Sequence, residues 1–516
     1  MRFRRRLSVV ALIAGLIFEV LAAMGADGSV SLHAEHEGRA TTRIVWRSCG
    51  VQLQCAHVRV PLDWRHPRGP TTSLPVIRHL ASRPTQRIGS LFVNGGGALG
   101  SVEQVRTDGA QLDALGQGRF DVVGWTLRSD ANATPMVRCF RTRQSRERFW
   151  HGLSIPTTRA QSLAYARKIA GYARRCARLS GSLLRHVSTT DDARDLDRLR
   201  RLVDDRRLTY SALSYGTFLG QTYANMFPQR VRAMVLDGLV DPRLVIRGAA
   251  ARFSNTVVAM DRGLRWFESL CQRAGPARCA LAGRDPVAAR VAQLRARLRR
   301  APIPAPTAKP RGALTYSDLS TVLFASLTNP AAWPELARDL EKAADGDGSA
   351  LATRSRAVLA GTRSVDGPTS LTCTDSPARQ GLDAWPQVIA RLTRVSNVGG
   401  AFIGWSGWAP CASWPAHSAD RYAGRWNRTT ENPILVVGTT FDPATPYSNA
   451  LRVVKLLGNA ILLTHDGYGH TSEADPSACV TRVQTSYLVQ LHTPRPGTTC
   501  PSDRAPFEPR FGKPHA

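Results

Sequence analysis

The stretch Tyr210-Ser211-Ala212-Leu213-Ser214-Tyr215-Gly216-Thr217 decides the fold. Leu208 to Tyr210 is apolar and reads as the end of a strand. Tyr215 to Phe227 reads as a helix stopped by Pro228, and Met234-Val235-Leu236 as the next strand. Small-x-Ser-x-Gly between a strand and a helix is a nucleophile elbow. The turn is so sharp that the residues two before and two after the serine must be small, because the two backbones pass close together. Here Ala212 stands at the first small position, where Gly is usual. Ser214 then sits at a helix N-terminus, where the dipole and the free N–H groups favour a developing oxyanion. Alone, the pentapeptide reads first as an ordinary Gly-containing turn.

Two downstream segments give the serine its partners. Pro433-Ile-Leu-Val-Val-Gly438 reads as an apolar strand, and Thr439-Thr440-Phe441-Asp442-Pro443-Ala444-Thr445-Pro446 follows directly. The prolines stiffen the loop that carries Asp442. A helix is expected over Tyr447 to Leu457, then a strand over Ala460 to Thr464, then the run His465-Asp466-Gly467-Tyr468-Gly469-His470. Singly, Asp442 is a turn residue and His470 a polar loop residue. Together, Ser214, Asp442 and His470 each follow an expected strand, in the chain order of an α/β-hydrolase triad.

An oxyanion hole needs a second N–H from the loop after an early strand. Ser90-Leu-Phe-Val-Asn94 reads as that strand and Gly95-Gly96-Gly97-Ala98-Leu99-Gly100-Ser101 as the loop. Glycine allows close backbone approach to a reacting carbonyl. The expected donors are the N–H groups of Gly97 and Tyr215. A phosphate cradle is the competing reading, but the chain has neither a Walker lysine there nor G-x-G-x-x-G opening a helix.

With these residues in view, the chain resembles the secreted tripeptidyl aminopeptidase-like branch of the proline iminopeptidase family. The matching segments include Cys55-Ala-His-Val-Arg-Val-Pro61-Leu-Asp-Trp64, Asn94 to Ser101, Phe120-Asp-Val-Val-Gly124 and Thr190-Asp-Asp-Ala-Arg194-Asp195-Leu196. Ser214-Tyr-Gly-Thr217, Val235-Leu-Asp237-Gly238, Asp442-Pro-Ala-Thr-Pro446, Gly469-His470 and the tail from Cys479 to Cys500 also match. The resemblance implies an α/β-hydrolase fold with a mostly helical cap, and release of short peptides or single residues from a free N-terminus. The chain departs from the family in three places. The family loop usually reads Asn-Pro-Gly-Gly-Pro-Gly-Gly-Ser-Gly, and Gly95, Ala98, Leu99 and Val102 differ from it. Thr126-Leu127-Arg128-Ser129 replaces the usual Asp-x-Arg-Gly, and Ala212 replaces the elbow's leading Gly.

The rest of the chain suits an exported enzyme. It has 516 residues and 43% hydrophobic content, enough for a large core with an insertion. Met1-Arg-Phe-Arg-Arg-Arg6 is basic, Leu7 to Ala23 is nearly all apolar, and Ala22-Ala23-Met24-Gly25-Ala26 offers small residues for cleavage. That pattern reads as a signal peptide over residues 1–26 rather than a membrane anchor, since it is short for a span and contains Glu19. Residues from there to about Thr42 are polar and expected to be disordered. The ten cysteines are an even number, as in an oxidising compartment. Coupling sequence neighbours gives Cys49/Cys55, Cys139/Cys176, Cys271/Cys279, Cys373/Cys411 and Cys479/Cys500, although sequence alone does not fix connectivity. No zinc-type spacing occurs, so no metal or other cofactor is expected.

The formal charge of +30 comes from 69 Lys and Arg against 39 Asp and Glu. Two dense stretches, Arg194 to Arg201 and Arg290 to Arg300, carry apolar residues at helical spacing and read as solvated faces of amphipathic helices. Such a surface could hold the protein near an anionic cell envelope, whereas no nucleic-acid motif accompanies the charge. The organisation expected is a hydrolase core over 43–242, a helical cap over 243–428 broken by the linker Ala301-Pro-Ile-Pro-Ala-Pro306, and a resumed core over 429–505. Peptides are the expected substrates. An aminopeptidase also needs a carboxylate for the substrate ammonium; Asp375 and Glu473 are candidates, though each reads first as a surface acid. Two other readings compete: an esterase on the same fold, suggested by the altered loop, and a cell-surface binding protein with a decayed site, suggested by Ala212 and Thr126.

Overall fold

The computed structural model describes residues 43–361, 365–378, 380–396 and 399–508. The expected signal segment and the polar stretch to Thr42 lie outside the described residues. The first strands are β1 (Arg47–Gly50), β2 (Leu53–Pro61), β3 (Thr71–His79), β4 (Gly89–Asn94) and β5 (Phe120–Trp125). Then come β6 (Leu208–Leu213) and β7 (Val231–Asp237), a small hairpin of β8 (Ile303–Ala305) and β9 (Gly312–Leu314), and finally β10 (Ile434–Phe441), β11 (Ala460–Tyr468) and β12 (Thr499–Pro501). Ten of these form one sheet in the order β1-β2-β3-β5-β4-β6-β7-β10-β11-β12. The pairings β1–β2, β2–β3 and β3–β5 are antiparallel, and every pairing from β5–β4 onward is parallel.

The parallel strands are buried on both faces, which is why they read as near-continuous apolar runs. On one face, helices Thr189–Leu202, Tyr215–Met226 and Tyr447–Leu456 cover Phe92, Val123, Trp125 and Tyr210. On the other, helices Val102–Leu115 and Ala478–Gln490 cover Leu91, Phe120, Val235 and Val437. This is an α/β-hydrolase architecture. A third apolar cluster lies outside the sheet. It joins helix Arg159–Ser180 to helices Ala249–Ala274, Val287–Arg300, Tyr316–Leu327 and Trp333–Ala344. The helical layer thus draws on two stretches of chain, around 137–187 and 249–416, where the sequence points to one. All five cysteine couples are disulfides, with Cys139–Cys176, Cys271–Cys279 and Cys373–Cys411 inside this layer.

Three local expectations are corrected. The linker Ala301 to Pro306 contains β8, whose Ile303 and Ala305 point inward while Pro304 is exposed. Proline is tolerated there because an edge strand leaves that nitrogen without a ladder partner. Strand β11 runs to Tyr468 rather than Thr464, because it pairs with β10 and, through Thr464 to Asp466, with β12. His470 therefore sits almost at a strand end. The stretch Arg194 to Arg201 is not a solvated face: Arg200 is buried and paired with Asp197, and Arg194 reaches Asp420. Val287–Arg300 does match its expectation, with Val287, Val291, Leu294 and Leu298 inward and arginines outward.

The loop after β5 holds one fully buried guanidinium. Arg128 Nε and Nη2 donate to the two oxygens of Asp195 at 2.7 Å each. Nη1 donates to the carbonyls of Leu62 and His186, and Nη2 also to that of Pro61, at 2.8, 3.0 and 2.9 Å. All five donors are satisfied, and Trp64 Nε1 completes the shell by donating to Asp195 at 2.9 Å. Removing one partner of a buried pair strands the other charge, which costs about 3–5 kcal/mol. Arg128→Met is expected to lower unfolding stability by that amount, measured by denaturant titration. A change under about 1 kcal/mol would mean that the pair is replaceable.

Candidate active site

Ser214 stands between β6 and the helix Tyr215–Met226 with φ 52° and ψ −119°. This is a strained backbone for a residue with a side chain. Three contacts hold it there. Its N–H donates to the Asp237 carbonyl at the end of β7, at 2.9 Å. Gly216 lies so near that an added Cβ would come within 2.7 Å of Asn94 Oδ1 and 2.9 Å of Ala212 Cβ. The methyl of Ala212 thus fits only because Gly216 has none. Thr217 Oγ1 donates back to the Ser214 carbonyl at 2.6 Å. Ser214 itself is only half-buried, unlike its neighbours Ala212 and Tyr215.

The loop after β4 closes over the elbow. Asn94 staples it at both ends: Gly96 N–H donates to Oδ1 at 3.0 Å, and Nδ2 donates to the Leu99 carbonyl at 3.1 Å. Gly96, Gly97 and Ala98 have φ of 96°, 66° and 57°. A Cβ on Gly96 would sit 2.8 Å from Ser214 Cβ and 2.9 Å from the Leu213 carbonyl oxygen. Ala98 adopts a φ that proline cannot, so the resemblance's Pro at this position has no counterpart in this conformation. Among the described residues, the N–H groups of Gly97 and Tyr215 donate to no protein group, while that of Gly96 is already engaged.

Asp442 and His470 come together at the ends of β10 and β11. His470 Nδ1 lies 2.9 Å from Asp442 Oδ2 and 3.2 Å from Oδ1. Asp442 Oδ1 also accepts from Ala444 N and Thr445 N at 2.7 and 2.8 Å, and Oδ2 from Thr445 Oγ1 at 2.8 Å. This shell suits a charged carboxylate. With Nδ1 facing Asp442, Nε2 is the ring nitrogen left for a nucleophile. Burial alone would depress the His470 pKa. Contact with Asp442 outweighs it, Asp237 adds to the pull, and the ring titrates above the ordinary histidine range. Gly238 follows Asp237, whose carbonyl holds Ser214 N, and a Cβ there would come within 3.2 Å of His470 Cε1.

The helical layer touches this site directly. The His470 N–H donates to the Thr328 carbonyl at 2.8 Å, and a Cβ on Gly469 would collide with Pro330. Gly263 packs against Pro443, and Thr256 Oγ1 donates to the Ala444 carbonyl at 3.3 Å. Phe441 stacks on Tyr468 at 4.5 Å, with Trp266 and Trp333 against their edges.

Neither acid considered for ammonium recognition is a surface group. Asp375 is buried, with Thr189 Oγ1 donating to it at 2.5 Å and Thr189 N at 3.1 Å; burial pushes its carboxyl up to about 6. Thr189 Oγ1 also meets the Tyr215 hydroxyl at 2.6 Å, so Asp375 braces the helix that carries Ser214. Glu473 is half-buried with Oε2 enclosed. Asp237, singled out by the sequence only as part of a motif, reaches both the elbow and the His470 loop: beyond its bond to Ser214 N, its Oδ2 accepts from Ser472 N and Oγ at 3.0 and 2.6 Å. Its place at a strand end was the one available signal.

Three outcomes are expected. Gly96→Ala lowers kcat about 100-fold with less effect on KM, because the clash is with backbone that positions Ser214. Wild-type kcat/KM rises with pH through an ionisation above about 6.5, as expected if the neutral His470 ring is the base, and Asp442→Asn lowers kcat about 10³–10⁴-fold. An acid limb below pH 6 would contradict the raised His470 value.

Residues 396–500 match the family described as TAP-like protein, and residues 154–262 match the α/β-hydrolase fold family. Serine protease Hip1 of Mycobacterium tuberculosis is 30% identical over 469 residues, covering 86% of this chain and 87% of that protein. Tripeptidyl aminopeptidase of Streptomyces lividans is 26% identical over 490 residues, covering 90% and 88%. Carboxylesterase B of Mycobacterium tuberculosis is 30% identical over 479 residues, covering 87% and 86%. With its elbow, its fold and these relatives, the chain belongs to the tripeptidyl aminopeptidase-like family of α/β-hydrolases.

Proposed function

We propose that the protein is an exported serine aminopeptidase that removes short peptides or single residues from free N-termini. The observation that carries this reading is the Asp442–His470 pair at neighbouring strand ends, packed beside Gly238, which follows the Asp237 carbonyl that holds Ser214 N. His470 Nε2 takes the proton of Ser214 Oγ as the oxygen attacks the scissile carbonyl. The N–H groups of Gly97 and Tyr215 receive the oxyanion. His470 returns its proton to the departing amine, and a water, deprotonated by the same ring, then attacks the acyl-enzyme and frees Ser214.

The relatives named as a protease and an aminopeptidase support peptides as substrates. The helical layer packed on the Asp442 and His470 loops acts as a cap that limits access, which suits cleavage near a chain end rather than within folded protein. Residues 1–26 direct export, and the basic surface holds the enzyme near an anionic envelope. No helix among the described residues is long and apolar enough to cross a membrane. A second reading, an esterase, is favoured by the relative named carboxylesterase B and by the changed loop around Ala98.

The two readings separate on purified mature protein. A tripeptide with a fluorogenic leaving group is expected to be cleaved with a free N-terminus, to resist when N-acetylated, and to lose cleavage in Ser214→Ala. Cleavage of a short-chain p-nitrophenyl ester alone would instead establish the esterase.

A further inference from the structure

Behind Ser214, on the sheet face opposite its helix, lies a cavity of about 30 Å³ lined by Ser211, Leu213, Gln104, Gln484, Asp237 and Glu473. Three enclosed acceptors on its lining have no partner among the described residues: Asp237 Oδ1, Glu473 Oε2 and Gln104 Oε1. A space of this size and polarity holds one water. Buried oxygens need donors, and a water offers two hydrogens to three acceptors, two of them carboxylates. Two carboxylates on one small cavity cannot both stay charged without a cation between them.

We propose that Asp237 and Glu473 share one proton through a water in this cavity, and that this proton keeps the His470 loop docked on the nucleophile elbow. Asp237 is then a positioning residue. Its carbonyl holds Ser214 N at 2.9 Å, and its Oδ2 holds Ser472, two residues beyond His470. Glu473 is the next residue along. Full ionisation sets the two carboxylates against each other across the cavity and pushes the His470 loop away from β7.

The charged groups around the pair agree with this. Asp237 faces Asp442 and His470 as well as Glu473, and its carboxyl is pushed up to about 6, chiefly by burial. Glu473 faces Asp237 and, from helix Val102–Leu115, Asp108; burial first and both charges next push it up to about 8. The only cation among these groups is His470, and Asp442 already pairs with it.

The proposal rests on the triad assignment, so its test uses a probe that needs no assumption about substrate. The rate at which a fluorophosphonate labels Ser214 is followed from about pH 5 to about pH 10. The wild-type rate is expected to rise as His470 loses its proton. It then falls at least about tenfold between about pH 7.5 and about pH 9.5 as the shared proton leaves. Glu473→Gln is neutral at every pH and can donate to Asp237, and its labelling rate is expected to stay flat over that alkaline range. Glu473→Met, without charge or donor, must lose the fall too. An alkaline fall that persists in both variants, or is missing from the wild type, overturns the proposal. Infrared difference spectra of the resting protein between about pH 7.5 and about pH 9.5 test the pair independently: a protonated-carboxyl band should be lost in the wild type, and that loss should be missing in Glu473→Gln. No labelling of Ser214 at any pH would sink the triad assignment instead, and the infrared result would still decide the pair.

Discussion

One guanidinium with all five of its N–H groups engaged inside the protein fixes the frame on which the site stands. Arg128 binds the end of β2, the His186 carbonyl just ahead of helix Thr189–Leu202 and Asp195 within that helix. Each neighbour leads to the chemistry. The helix carries Thr189, whose hydroxyl meets Tyr215 beside the nucleophile. The loop holding Arg128 also holds Asp130, which accepts from Gly100 N at 3.2 Å in the loop that closes over Ser214. A buried ion pair is a poor source of stability compared with apolar packing. Its contribution here is directional, since a planar donor fork allows one arrangement of the segments that it joins.

That frame lets strain concentrate where Ser214, Gly96, Gly97 and Ala98 lie. A left-handed alanine costs roughly 1–2 kcal/mol, and inside the loop only the 3.2 Å bond from Leu99 N to the Gly96 carbonyl is set against it. Further support comes from outside, through Asn94 at both ends of the loop and Asp237 beneath the elbow. Ser214, Asp442 and His470 thus hang from the ends of the parallel strands β6, β10 and β11, with β7 between the first two, the place where open α/β sheets present functional groups. The sheet supplies the spacing and the short loops supply the aim.

Much of this was legible in the sequence. Ser214, Asp442 and His470 follow strands with apolar runs such as Ile434 to Val437 and Ala460 to Leu463, and short turns leave little freedom in where they point. Cysteine couples close in sequence were readable too, because chain connectivity brings near neighbours together first. What stayed hidden depends on contacts between distant segments. Arg128 read as part of a departure from a motif, although the carbonyls of Pro61 and Leu62 and the carboxylate of Asp195, in two other matching segments, are what it binds. Pro304 looked like a linker residue because its partner strand, Gly312–Leu314, lacks strand character of its own. Asp375 and Glu473 read as exposed acids because nothing local to a carboxylate announces that a distant helix or a loop will cover it.

The hydrogen bond from His470 N to the Thr328 carbonyl ties the helical layer to the proposed base. A layer that only roofed a cleft could be trimmed, exchanged between relatives or swung aside, leaving a working core beneath. Here the chain between β7 and β10 supplies part of the scaffold that orients the imidazole. Core and layer therefore form one functional unit: a version pared to the sheet and its flanking helices would keep the serine and the aspartate but lose the backbone anchor of the histidine. Any motion that admits substrate has to pivot elsewhere, leaving the turn at Thr328–Pro330 in place.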